Sequence, residues 1–208
     1  MKAGIFIFAI CAQIGIAHAQ SIDCAALKTK PIPFQLTFQP KNQNQFWFEK
    51  QVYRNPALTG STEIMSWGPA TSPKPTLRAK VLATNGFSVE TQIRIPGGVL
   101  RTISSTIQGV KLGELDRTKD LSFMTAVDTS DDGRPVGHEE KHGGTRYIRT
   151  EDVNVGPCTL KAIVYDLIGT QAGREIANRN LFFPDLKTQI PGGEGSFVLT
   201  TKFEPRAF

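Results

Sequence analysis

Phe34-Gln35-Leu36-Thr37-Phe38 near the start of the chain and Phe197-Val198-Leu199-Thr200 near its end decide the reading of the fold. Period-two alternation together with β-branched and aromatic residues marks strands with one buried and one wet face. Working inward, comparable segments fall near 45–53, 62–67, 76–84, 88–95, 99–107, 147–155, 159–167 and 176–183. Turn signals separate them: Asn85-Gly86, Pro96-Gly97-Gly98, Gly156-Pro157 and Pro191-Gly192-Gly193. No helical pattern of comparable length intervenes. The expectation is therefore an all-β, mainly antiparallel domain, a single sheet curled into a barrel, half-barrel or sandwich. It allows at most one short helix, within 112–127.

Two sections read as loops. Residues 55–75 hold several prolines and glycines around one short strand, and 128–144 are polar and broken by glycine. Ile-Pro-Gly-Gly occurs at both Ile95 and Ile190, but the flanks differ, so both read as turns rather than as a duplication.

The N-terminus carries an address. Lys2 precedes a nearly unbroken apolar run from Gly4 to Ile16, followed by Ala17-His18-Ala19. That run, about 13 residues, is shorter than the roughly 20 needed to cross a bilayer as a helix, and the small residues suit a signal peptidase. Residues 1–19 thus read as a secretory signal cut between Ala19 and Gln20, leaving 20–208 as one β-rich domain in the periplasm or medium. No later segment is apolar enough for a transmembrane helix. Neither Cys11 nor Cys24 follows a lipobox, so no lipid anchor is expected.

Removing the signal removes Cys11, leaving Cys24 and Cys158 in a chain sent to an oxidising compartment, where they are expected to pair. The two are far apart in sequence and form no Cys-x-x-Cys motif, so the bond reads as structural. With 39% hydrophobic and 9% aromatic residues the chain can fill a core. Its net charge of +5 comes from scattered basic residues, a pattern that does not point to nucleic acid.

Catalytic patterns occur only in 128–144. His138-Glu139-Glu140-Lys141-His142 matches the zinc-protease sequence in which two histidines four apart share a helical face and the first glutamate polarises water. It sits between Gly137 and Gly143-Gly144, without the apolar residues such a helix would bury. Asp128, Ser130, Asp132, Gly133 and Glu139 also follow the spacing of an EF-hand calcium loop, but Pro135 stands at a position usually apolar. A solvated polar loop accounts for the same residues. No catalytic residue, metal ligand or cofactor is assigned; a metal-dependent enzyme or a calcium-binding protein built on this loop is the alternative reading. Asp152 with Asp166, or Glu63 with Glu90, are cross-strand carboxylate pairs that more simply meet Lys or Arg neighbours.

Glu151-Asp152-Val153-Asn154-Val155-Gly156-Pro157-Cys158, followed by Phe182-Phe183-Pro184-Asp185-Leu186, resembles strand-entry and strand-exit motifs of uncharacterised bacterial periplasmic β-proteins whose sheet curls like that of lipoprotein carriers. The resemblance covers about a quarter of the chain. It implies an open barrel whose concave face admits an acyl chain, with no catalytic residues to transfer. Separately, Phe46-Trp47-Phe48 and Leu181-Phe182-Phe183 are aromatic or apolar on both strand faces, so one face lines a pocket or both are buried by sheet and loops. A non-enzymatic binding or envelope-maintenance module, taking an apolar or lipid ligand, is the expected function. A small outer-membrane barrel is a third reading, suggested by length and by the terminal Phe208 but opposed by Pro205-Arg206 and by Arg78, Lys80 and Arg94.

Overall fold

The computed structural model describes residues 22–41, 46–171, 174–192 and 195–208. The signal segment and its cleavage point at Ala19 and Gln20 lie outside them. One short helix, α1 (Cys24–Thr29), precedes the strands. Asp23 caps it, its carboxylate accepting from the N–H groups of Ala25 and Ala26 at 3.0 and 2.9 Å. The C-terminal end is held by Arg54, which donates to the carbonyls of Leu27 and Lys30.

The rest is one 12-stranded sheet among the described residues. Its strands are β1 (Phe34–Pro40), β2 (Phe46–Arg54), β3 (Gly60–Pro69), β4 (Leu77–Thr84), β5 (Phe87–Arg94), β6 (Leu100–Gln108), β7 (Leu121–Asp131), β8 (Arg134–Val155), β9 (Cys158–Gln171), β10 (Arg174–Phe183), β11 (Thr188–Pro191) and β12 (Gly195–Thr200). Consecutive strands from β1 to β11 pair as antiparallel hairpins wherever they are neighbours, and β12 returns to lie beside β1. The long β8 closes a ring. Its first half pairs with β7 from Arg134 to Thr145, while its end meets β12 in parallel at Val155–Phe197. The ring is not a regular barrel, because β9–β11 continue from the other edge of β8. They fold across the apolar face of β1–β3, where Leu160, Val164, Phe183 and Ile190 pack with Phe34, Leu36, Phe48 and Val52.

The turns follow from their residues. Asn85 (φ 47°) and Gly86 (φ 78°) join β4 to β5, and Asp132 (φ 48°) and Gly133 (φ 79°) join β7 to β8, each with two left-handed positions as a type I′ hairpin requires. Gly86 is also sterically required, since a Cβ there would lie 3.0 Å from the Phe182 ring.

Ten strands fall where the sequence places them. Two expectations are corrected. Residues 112–127 do not form an α-helix: only a 3-10 turn, Leu112–Glu114, appears, and β7 begins at Leu121. There Phe123 is buried and packs with Leu121, Leu167 and Phe87, which is strand alternation rather than a helical stripe. Residues 128–144 are not a loop but the two arms of the β7–β8 hairpin. Every residue from Arg134 to His142 is exposed, so neither face needs apolar side chains and the alternation disappears from the sequence. No helix among the described residues is long and apolar enough to cross a membrane.

A candidate ligand cleft

Opposite residues in a paired register share a face, so the ladder from β5 to β8 can be read across. Ile107 stands opposite Thr125 and Thr125 opposite Lys141; Ser105 stands opposite Val127 and Val127 opposite Glu139. This face meets β9 and β10 across a cleft of about 470 Å³, lined by Phe87, Ile107, Phe123, Val127, Leu167 and Ile176, with Lys141 and Gln189 also in its wall. The volume lies within the range of about 300–1,000 Å³ usual for small-molecule sites. At the base, Phe87 and Phe123 meet edge to face, 6.2 Å between centroids. Gly143 permits this, because a Cβ there would lie 3.0 Å from the Phe123 ring.

Beneath Phe87 lies Arg117, 1% exposed. Its guanidinium carbon is 3.8 Å from the Phe182 centroid and 4.4 Å from that of Phe87. Nη2 donates to the Asn85 carbonyl at 2.6 Å, while Nε and Nη1 have no hydrogen-bond partner among the described residues. Burial pulls this guanidinium below its usual range, partly offset by the nearby Tyr165 hydroxyl. Burial likewise pushes the Tyr165 phenol up, against the effect of Arg117. The Tyr165 hydroxyl donates to Gln189 Oε1.

A second buried charge is fully paired. Lys50 Nζ on β2 lies 2.7 Å from Glu63 Oε2 on β3 and donates to the Gln189 carbonyl (2.6 Å) and to Thr188 Oγ1 (3.2 Å). Thr188 in turn donates to Glu63 Oε1 at 3.0 Å. This network stitches β11 onto β2 and β3.

A larger groove, about 870 Å³, lies on the polar face between β1, β2 and residues 70–75, with Trp47, Glu49, Arg78 and Arg206 in its wall. Its polar groups already answer one another. Trp47 Nε1 donates to the Ser72 carbonyl at 2.7 Å, and Arg206 lies 2.9 Å from Glu49. Burial raises the Glu49 carboxyl, with Arg206 and then Arg78 opposing. The groove offers less unpaired apolar surface than the cleft, so the cleft is the better candidate.

Cys24 and Cys158 are bonded, with Cα atoms 5.7 Å apart. His138 and His142 lie on one strand, not on a helix. Four residues of strand separate such side chains by about 13 Å, and the intervening Glu139 points to the opposite face. Neither the zinc geometry nor a water-polarising glutamate is assembled. His138 instead contacts Asp128 directly across the ladder, Nδ1 to Oδ1 2.7 Å, and that hydrogen bond raises its pKa. The calcium pattern is equally pulled straight: Asp132 accepts from the Leu100 N–H at 3.0 Å, Asp131 binds Arg101 at 2.7 Å, and Glu139 pairs with Lys141. Among the described residues no three His, Cys, Asp or Glu side chains are grouped to hold a metal. Asp166 pairs with Arg179 and Asp152 stands opposite Lys161, so those carboxylates do not meet. Glu63 and Glu90 lie on opposite faces, since Glu63 faces Val81 and Glu90 faces the neighbouring Leu82.

Leu181-Phe182-Phe183 is buried on both sides, and Trp47 lines the polar groove rather than the cleft. Arg117 was not singled out by sequence reasoning, because an isolated Arg in an Asp-Arg-Thr-Lys-Asp stretch has the composition of a surface turn. Gln189 gave no signal at all. Comparison with protein families, curated proteins and solved structures finds no match.

Proposed function

We propose that this protein is an exported, non-enzymatic binding module that carries or senses an apolar ligand in the cleft between β5–β8 and β9–β10. The observation that carries the reading is the cleft itself, about 470 Å³ with two phenylalanines at its base and walls in which Ile107, Val127, Leu167 and Ile176 alternate with hydroxyl, amide and basic side chains. The buried Cys24–Cys158 bond supports synthesis into an oxidising compartment, as do the signal-like first 19 residues. The resemblance to periplasmic curled-sheet proteins implies an acyl-chain ligand, and the apolar side chains of the cleft support that class. An outer-membrane barrel is less well supported, because β9–β11 cover one face of β1–β3 and residues 203–206 pack on the other, through Phe203 on Tyr53 and Arg206 on Glu49. Lipid would have no continuous apolar belt to meet there.

Burial of an alkyl tail stabilises binding by about 0.8 kcal/mol per methylene, or roughly fourfold in affinity. Native mass spectrometry of protein isolated gently from its own cells, followed by titration with alcohols of increasing chain length, tests the reading. The expected result is an oxidised chain beginning at Gln20 with an apolar adduct, and affinity rising severalfold per methylene until the cleft is full. A bare chain with no chain-length dependence would overturn it.

A further inference from the structure

The cleft's electrostatics narrow its ligand. No Asp or Glu stands among its lining side chains, where the ionisable groups are Lys141 and His142, but Lys141 is ion-paired with Glu139, which stands opposite Val127 on the same face. Arg117, one aromatic ring behind the wall, has no carboxylate within ion-pair distance among the described residues, in contrast to Lys50 with Glu63 at 2.7 Å. An ion left unpaired in a dry interior is costly, and its field is poorly screened there, so it reaches across a single ring into the cavity. Gln189 adds a directed donor: Tyr165 occupies its Oε1, and its amide N–H groups meet no acceptor among the described residues while the residue lines the cleft. The cleft therefore combines apolar side chains, an amide donor, a lysine shared with Glu139 and, behind one ring, a buried guanidinium with no counter-ion among the described residues.

We propose that the ligand is a single-chain amphiphile with an anionic head, its tail against Phe87, Phe123 and Ile176 and its head held by Gln189 and Lys141 in the positive field of Arg117. This rests on the apolar-ligand reading above and names the class of ligand. The test compares dodecanoate with dodecanol, each titrated calorimetrically into the oxidised mature protein below micelle-forming concentrations. The expected result is that dodecanoate binds at least about tenfold more tightly. Arg117→Met, which replaces a buried cation by an apolar side chain of similar reach, is expected to lower that preference severalfold. Lys141→Gln, at an exposed position, is expected to lower dodecanoate affinity severalfold and keeps the charge test available if Arg117→Met does not fold. Equal binding of acid and alcohol would overturn the anionic head and leave the apolar reading standing. Failure of both probes to bind would remove both readings.

Discussion

Replacing Lys50 or Glu63 tests whether β11 is truly seated on β2 and β3. The two charges lie 2.7 Å apart with side chains 4% and 2% exposed. At an effective dielectric of about 20, their attraction is about 6 kcal/mol, of the same order as the several kcal/mol that each ion loses on leaving water. The pair is thus near break-even against an apolar pair of equal volume, whereas removing one member strands the other. Lys50→Met leaves Glu63 with only hydroxyl donors, from Thr188 at 3.0 Å and Ser61 at 3.2 Å. Glu63→Leu leaves Lys50 with Thr188 and the Gln189 carbonyl. Each single substitution is expected to cost about 3–5 kcal/mol, and the double variant Lys50→Met/Glu63→Leu to lie within about 2 kcal/mol of the parent. Urea unfolding followed by tryptophan fluorescence and far-ultraviolet circular dichroism reads all four corners of the cycle. Single losses below about 1 kcal/mol, or losses that simply add, would refute a desolvated pair at this position.

The disulfide closes a loop of 134 residues, so chain entropy alone gives it about 5 kcal/mol, and Cys24→Ala/Cys158→Ala is expected to lower unfolding stability by an amount approaching that figure. A change under about 1 kcal/mol in urea titration would contradict it. Gly86→Ala puts a Cβ at φ 78° and 3.0 Å from the Phe182 ring, and is expected to cost about 2 kcal/mol; an unchanged denaturation midpoint would show that the turn relaxes freely. The bond to Asp128 raises the pKa of His138, so Asp128→Asn is expected to lower its titration midpoint in an NMR pH series. Because the folded pKa is the higher one, this pair stabilises fully below the unfolded histidine value and its contribution disappears as pH rises through the folded value; a midpoint unmoved by Asp128→Asn would dismiss the contact.

The strands that one buried face organises were legible in the sequence. Phe34, Leu36 and Phe38 alternate because the intervening Gln35 and Thr37 face away from the β9–β11 layer. The paired thiols were legible too, since the chain beyond the expected signal holds only Cys24 and Cys158. What sequence patterning missed is where that rule lapses. Residues 134–142 are exposed on both faces, so a strand held by its ladder to β7 looks like a polar loop, and two side chains four apart look like a helical metal pair. The cleft was missed because its wall comes from seven strands, contributing one to a few residues each, and no local motif records that convergence. Arg117 escaped for the complementary reason: its burial is imposed by Phe87 and Phe182, which lie 30 and 65 residues away along the chain.

The most direct test of the account is an amide NMR titration of the oxidised mature protein with dodecanoate, paired with Ser105→Trp, which fills the cleft from β6 without entering the buried clusters. The account predicts saturable shifts centred on Phe87, Phe123, Lys141, Ile176 and Gln189, abolished by Ser105→Trp while the unfolding midpoint is retained. Shifts centred instead on Trp47 and Arg206, or binding indifferent to Ser105→Trp, would contradict it.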